Sequence, residues 1–127
     1  MKMLGAAFSV AGGVLLSAPS FVARAVSPDA PAPNAFNQCR TCHVAAPGLK
    51  PLLGPNLFGV VGSRAGSRSD YAYSSGMKAS GIVWNTQNLD AFLANPQRMI
   101  RGTKMTYFGE KDPVRRRAIV VYLETLR

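Results

Sequence analysis

The chain has 127 residues, room for one domain of ordinary size, and its 47% hydrophobic and 17% charged residues with 12 Gly and 9 Pro exclude a disordered tail, a collagen or a long coiled coil. Fifteen Lys+Arg against six Asp+Glu give a net charge of +9 and a pI near 10.3. Such a balance favours acidic partners, anionic membrane surfaces or nucleic acid without choosing among them, while two cysteines and a single histidine are too few for most four-ligand zinc sites.

Lys2 is followed by a mostly apolar stretch from Leu4 to Leu16, and Ala23-Arg24-Ala25 supplies the small-x-small pattern of a signal-peptidase site. The stretch is shorter than the roughly 20 apolar residues of a transmembrane span. Residues 1–25 are therefore predicted to be a signal peptide cleaved after Ala25, which lowers the net charge by two with the loss of Lys2 and Arg24. The mature product is expected to be soluble and periplasmic. At that size a core of side chains alone is marginal, so a staple or cofactor is expected.

Residues 26–33, with Pro28, Pro31 and Pro33, read as an extended leader, and 34–127 as the folded domain. Pro33 is placed at the first position of a short helix on which Phe36, Cys39 and His43 share a face. From Val44 to Gly66 the chain is rich in Gly and Pro, giving a long loop with at most a helical turn near Leu57–Val61. A short helical piece is placed at Ser74–Ser80. Asn85 caps a firmer helix with an inward stripe of Leu89, Phe92 and Leu93, halted by Asn95-Pro96. Residues 97–109 are expected to be irregular. Asp112 then caps a last helix with Pro113 at its first position and a stripe of Ile119, Tyr122, Leu123 and Leu126. No alternating strand pattern of useful length is found. The expectation is a small all-α domain whose long loops need something to pack around.

Cys39-Arg40-Thr41-Cys42-His43 is the strongest signal, because Cys-x-x-Cys-His is the attachment sequence of a c-type haem. Two cysteines three residues apart on a helical turn present both sulfurs to one porphyrin edge, where they form thioethers with its vinyl groups. A histidine directly after the second cysteine swings its imidazole under the iron. A thioredoxin-like motif needs a βαβ context that the chain lacks, a zinc site lacks a fourth Cys or His, and a plain disulfide leaves His43 unexplained. With one histidine, the other axial position falls to a methionine or stays open. Met77, Met99 and Met105 are the candidates within 34–127; Met105, on a Gly-containing loop before the last helix, is favoured locally, with Met99 next and an open site third.

Cys39–His43, Gly54-Pro55-Asn56-Leu57, Tyr73, Gly81-Ile82-Val83-Trp84, Asn95-Pro96 and Gly102-Thr103-Lys104-Met105 follow in the order and spacing of class I cytochromes c. From about Ala35 to Leu126 the chain resembles the mitochondrial and bacterial c2 members of that family. The resemblance implies the cytochrome c fold, one haem c bound through Cys39 and Cys42, and iron held by His43 and Met105. It implies that the Pro55 carbonyl accepts a hydrogen bond from His43, that Tyr73 and Trp84 bond a haem propionate, and that Thr103 is a haem-side hydroxyl. Phe92 stands where many members carry tyrosine, Met77 where asparagine is common, and Ser63-Arg64 shifts the usual arginine by one residue.

The function so implied is that of a monomeric electron carrier and not an enzyme, its iron cycling between Fe(II) and Fe(III). Partners are expected among acidic faces of redox proteins, such as a cytochrome bc1-type reductase, an oxidase, a reaction centre or a dehydrogenase, met in transient contact with membrane complexes and not among nucleic acids. The alternative is a haem enzyme or gas sensor with a displaceable sixth ligand. Lys50, Lys78, Lys104 and Lys111 align with the family's basic ring, with Arg40, Arg98 and Arg101 as additions, but Gln38, Leu52 and Gln97 replace lysines of that ring. Arg115-Arg116-Arg117 reads as a solvated helix start, with the Arg115 stem lying along the Ile119 stripe.

Overall fold

The computed structural model describes residues 31–127; the signal peptide expected at 1–25, and residues 26–30 of the leader, lie outside them. Among the described residues there is no strand, only an isolated antiparallel bridge between Arg64 and Val83, and no helix is long and apolar enough to cross a membrane.

A 3₁₀ helix spans Asn34–Thr41. Pro33 is its N-cap and not its first helical residue, a one-residue correction: its backbone is extended, and its carbonyl accepts the Phe36 N–H at 2.8 Å. At the far end the Cys39 carbonyl accepts both Cys42 N–H and His43 N–H, at 3.1 and 2.9 Å. That shared acceptor turns the chain so that His43 leaves just beyond the helix. Helix α1 (Ser75–Ala79) is a single capped turn, with Ser74 accepting the Met77 N–H. Helix α2 (Thr86–Ala94) opens with a reciprocal capping box between Asn85 and Asn88.

The stretch expected to be irregular after Asn95 instead begins with a short helix, α3 (Pro96–Met99). The dipeptide that ends α2 also starts α3: Asn95 Oδ1 accepts the Arg98 N–H at 3.1 Å and Pro96 takes the first helical position. Helix α4 (Pro113–Thr125) starts at Asp112, whose carboxylate accepts the Val114 N–H at 2.8 Å.

The core forms where the 3₁₀ helix, α2 and α4 meet. Phe36, Ile119 and Val120 are almost wholly buried and Leu89, Phe92 and Leu93 enter from α2. Phe36 meets Tyr122 edge to face with centroids 4.7 Å apart, an arrangement that suits the aromatic quadrupoles. Arg116 Nε reaches Asp90 at 2.9 Å across α2 and α4, and Arg115 pairs with Glu110 at 2.9 Å. The basic cluster at the helix start is thus partly consumed in intramolecular pairs. These helices, with loop residues between 42 and 73 and between 103 and 108, line a large cavity.

Candidate haem site

The cavity has a volume of about 710 Å³, within the roughly 300–1,000 Å³ of small-molecule and cofactor sites. Cys39, Cys42, His43, Pro55, Tyr73, Trp84, Thr103 and Met105, far apart in the chain, all line it. Met77 lines it too; Met99 does not. The local choice among methionines therefore narrows to Met105 and Met77, and Met99 serves the core beneath.

One wall is built around His43. Its Nδ1 donates to the Pro55 carbonyl at 2.7 Å, which fixes the tautomer and leaves Nε2 with its lone pair. Burial lowers the imidazole pKa, opposed by the Pro55 bond, so the ring is neutral and able to ligate. Gly54 lies flat against it: a Cβ there would stand 2.7 Å from Nδ1, 2.9 Å from Nε2 and closer still to Cε1. Gly54 N–H in turn donates to the Cys42 carbonyl at 2.8 Å. Asn56, 3% exposed, donates to the Ala46 and Leu49 carbonyls at 2.7 and 3.1 Å and accepts the Phe58 N–H at 2.9 Å. Cys39 and Cys42 are not joined in a disulfide, and burial pushes the Cys39 thiol, before any attachment, up to about 11.

A second wall is built around Met105, on the segment after α3. Gln97 Nε2 donates to the Thr103 and Met105 carbonyls at 2.9 and 3.1 Å. Lys104 Nζ donates to the Ala72 carbonyl, and Thr103, 7% exposed, accepts the Met105 N–H on its hydroxyl at 3.4 Å. Gln97, read from sequence only as an absent lysine, is thus a clamp on this wall. Nothing in its residue type signals two backbone acceptors. Asn56 and Gly54 were visible only as members of a motif, without their contacts.

Aromatic rings close the sides. Trp84 tilts against Phe92 at 5.1 Å, and Tyr73 meets Tyr71 at 4.9 Å. Burial raises the Tyr73 phenol pKa, so its hydroxyl is a donor at neutral pH. Arg64 lines the cavity despite the one-residue shift, as does Ser63. Among the described residues no three His, Cys, Asp or Glu converge as a metal site.

Two thiols, one neutral imidazole with a free Nε2, a thioether in the same lining and an apolar enclosure fit a covalently bound haem and little else. That donor set in an all-α domain defines a small c-type haem protein. No protein-family model matches the chain. It is 44% identical over 90 residues to a cytochrome c2 of Rhodomicrobium vannielii, covering 71% of this chain and 72% of the relative. It is 38% identical over 97 residues to cytochrome c2 iso-2 of Magnetospirillum fulvum, covering 76% of this chain and all of that one. Among solved structures, cytochrome cH from Methylobacterium extorquens is similar with a TM-score of 0.67 and 40% identity, covering 72% of this chain and 91% of that one. The chain belongs to the class I cytochromes c, has their fold and their single covalent haem c, and is an electron carrier rather than an enzyme.

Proposed function

We propose that His43 and Met105 are the axial ligands, that Cys39 and Cys42 form the thioethers, and that this chain shuttles single electrons between redox proteins outside the cytoplasm. The observation that carries the reading is the convergence of all these side chains on one cavity, which both His43 and Met105 line. Haem c supplies a one-electron Fe(II)/Fe(III) couple when bound, and a thioether ligand favours the ferrous state more than a second imidazole does.

The protein's own residues hold that couple steady. Pro55 orients His43 and makes it a better base. Gln97, Thr103 and Lys104 fix the backbone that bears Met105. Tyr73 and Trp84 offer a phenol and an indole N–H to the propionates, and the apolar walls exclude water. With His43 and Met105 both holding the iron, no position would be open to substrate, which disfavours a peroxidase or gas sensor.

Residues 1–25 direct export to the periplasm and are cleaved after Ala25. The partners are membrane reductases, oxidases, reaction centres or dehydrogenases with acidic faces. The supporting feature is the surplus of exposed cations, among them Arg40, Lys50, Lys78, Arg98 and Arg101, which steer an encounter and leave dissociation fast. The carrier is a monomer.

The oxidised protein is expected to show the weak near-infrared sulfur-to-iron band and, once reduced, to resist carbon monoxide. Met105→Ala abolishes the band, whereas Met77→Leu keeps it. A band that survives Met105→Ala, or a high-spin ferric spectrum of the parent with rapid ligand uptake, overturns the assignment. The intact mass of protein secreted from its own signal tests cleavage after Ala25.

A further inference from the structure

Two carboxylates enter this cavity with a haem c, its propionates, and a carboxylate taken out of water needs a partner. Among the described residues no Asp or Glu lines the cavity, whereas three cations do: Arg64, Arg68 and Lys104. Lys104 belongs to the Met105 wall and donates to the Ala72 carbonyl. Arg64 is exposed, and Ser63 stands at the position of the family's usual arginine. Of the three, Arg68 is the one whose charged head is held by another side chain.

The grip has a definite shape. Arg68 Nε and Nη2 donate to the two Asp70 oxygens at 3.0 and 2.8 Å. Both hydrogens of Nη1 and one of Nη2 stay free, a planar fork suited to a second carboxylate. Asp70 lines an outer groove with Lys50 and Tyr71 and does not line the haem cavity, while Arg68 lines both. The guanidinium therefore stands in the partition, with its counter-ion on the groove side.

The backbone beneath it is fixed. Ser67 N–H donates to the Arg64 carbonyl at 3.2 Å and closes a turn. Gly66 in that turn packs on α1 so closely that a Cβ would stand 3.0 Å from the Lys78 Cα. Trp84 N–H ties in at the Ser63 carbonyl, at 2.9 Å. Tyr73 lies near enough to feel the Arg68 charge and, less strongly, that of Asp70. One stretch of the lining thus gathers Arg68 with the neutral donors Tyr73 and Trp84. An ion pair whose side chains are 35% and 41% exposed adds little to stability, so holding the fold together does not account for it.

We propose that Arg68 binds a haem propionate through its Nη1 edge and that Asp70 is the positioning residue that aims it. The inference rests on the haem seating proposed for this cavity and adds to it a cation of this chain's own. A guanidinium there opposes the extra positive charge of ferric iron and raises the potential, and Asp70 cancels part of that field.

Redox titration of haem-loaded variants tests this at about 0.15 M salt, where charges beyond about 8 Å are largely screened. Arg68→Gln is expected to shift the reduction equilibrium about threefold toward the ferric form, a fall of about 28 mV in midpoint potential. Asp70→Asn, which strips the guanidinium of its counter-charge, moves the equilibrium about twofold the other way. Arg68→Lys keeps the charge without the fork and falls between the parent and Arg68→Gln. Arg117→Gln removes a cation that is exposed and does not line the cavity, and it stays within about 1.2-fold of the parent. All four keep the sulfur-to-iron band. Shifts of the same sign from Arg68→Gln and Asp70→Asn would make the pair a staple of its loop and overturn the proposal. So would an Arg64→Gln shift larger than that of Arg68→Gln, which gives the propionate to Arg64, or an Arg68→Gln shift no larger than that of Arg117→Gln. A parent that lacks the sulfur-to-iron band sinks the haem seating instead, a separate outcome.

Discussion

The two walls of the haem cavity are held by different means. The His43 wall is built from the chain's own backbone: Gly54 stacked on the imidazole, Pro55 accepting from Nδ1, Asn56 satisfying three backbone groups from inside. The Met105 wall hangs on side chains reaching in from the surface, Gln97 and Lys104. Buried backbone-directed contacts tolerate almost no change of shape, whereas exposed side-chain bonds compete with water and are individually modest. The His43 wall is therefore the rigid one, and the Met105 wall is the one that yields.

The sharpest way to break this comparison is a single methyl group on each side. Gly54→Ala places a Cβ inside van der Waals distance of the whole imidazole, so His43 must leave its position. The expected outcome is loss of most haem-loaded protein and of the low-spin spectrum, read as absorbance per milligram of purified chain. Gly102→Ala, on the other wall, meets no heavy atom within 4 Å and has only its positive φ of 76° to contend with. It is expected to keep its spectrum and lose about 1 kcal/mol in denaturant unfolding. Equal losses from the two would erase the distinction.

Asn56→Ala comes next. It strands the Ala46 and Leu49 carbonyls and the Phe58 N–H behind a residue that is 3% exposed, and an unsatisfied buried group costs about 1–3 kcal/mol. A destabilisation of about 3 kcal/mol is expected, with the sulfur-to-iron band kept in the molecules that remain folded.

On the yielding wall, Gln97→Ala removes two donors to the Thr103 and Met105 carbonyls. With each exposed bond worth about 0.5–1 kcal/mol, the balance between Met105 and an external ligand shifts roughly tenfold. Imidazole titrated against the ferric protein is expected to bind about tenfold more tightly, with global stability lowered by about 1–2 kcal/mol. Gln97→Glu, which keeps the size but loses the donors, is expected to follow Gln97→Ala. If imidazole affinity is unmoved in both, the clamp has no bearing on the ligand.

The difference between the walls also marks what the chain discloses before it is folded. Cys39–His43 was legible because covalent attachment and ligation need those residue types at that spacing. Helix α4 was legible from Asp112-Pro113 and the stripe of Ile119, Tyr122, Leu123 and Leu126, of which Tyr122 is half-buried and the others buried. Val120, equally buried, lay off that stripe because the helix packs on more than one neighbour. Asn95-Pro96 was read as a stop, yet the same two residues cap and start α3; a proline that ends one helix is pre-organised for the next. Gln97 was opaque for a deeper reason. Its partners are backbone carbonyls, present at every residue, so only the path of the chain brings them within reach.

Glu110 joins the two walls and gives the smallest effect. Its carboxylate accepts from Arg115 Nε at 2.9 Å, from the Asp112 N–H at 3.1 Å and from Gln38 Nε2 at 3.3 Å, and Gln38 directly precedes Cys39. The Arg115 bond, then the Asp112 N–H, hold the carboxyl below the ordinary value of 4.5. A depressed folded-state pKa means stability that is fully present above about 4.5 and is lost as pH falls through the lower, folded-state value. Glu110→Gln is therefore expected to melt slightly lower than the parent at pH 7 and to lose less on acidification below 4.5, so the two melting curves converge in acid. Arg115 is exposed to solvent, and the gap at pH 7 should shrink with added salt. Parallel curves from pH 7 down through that range would mean that Glu110 fastens the walls by shape alone and not through its charge.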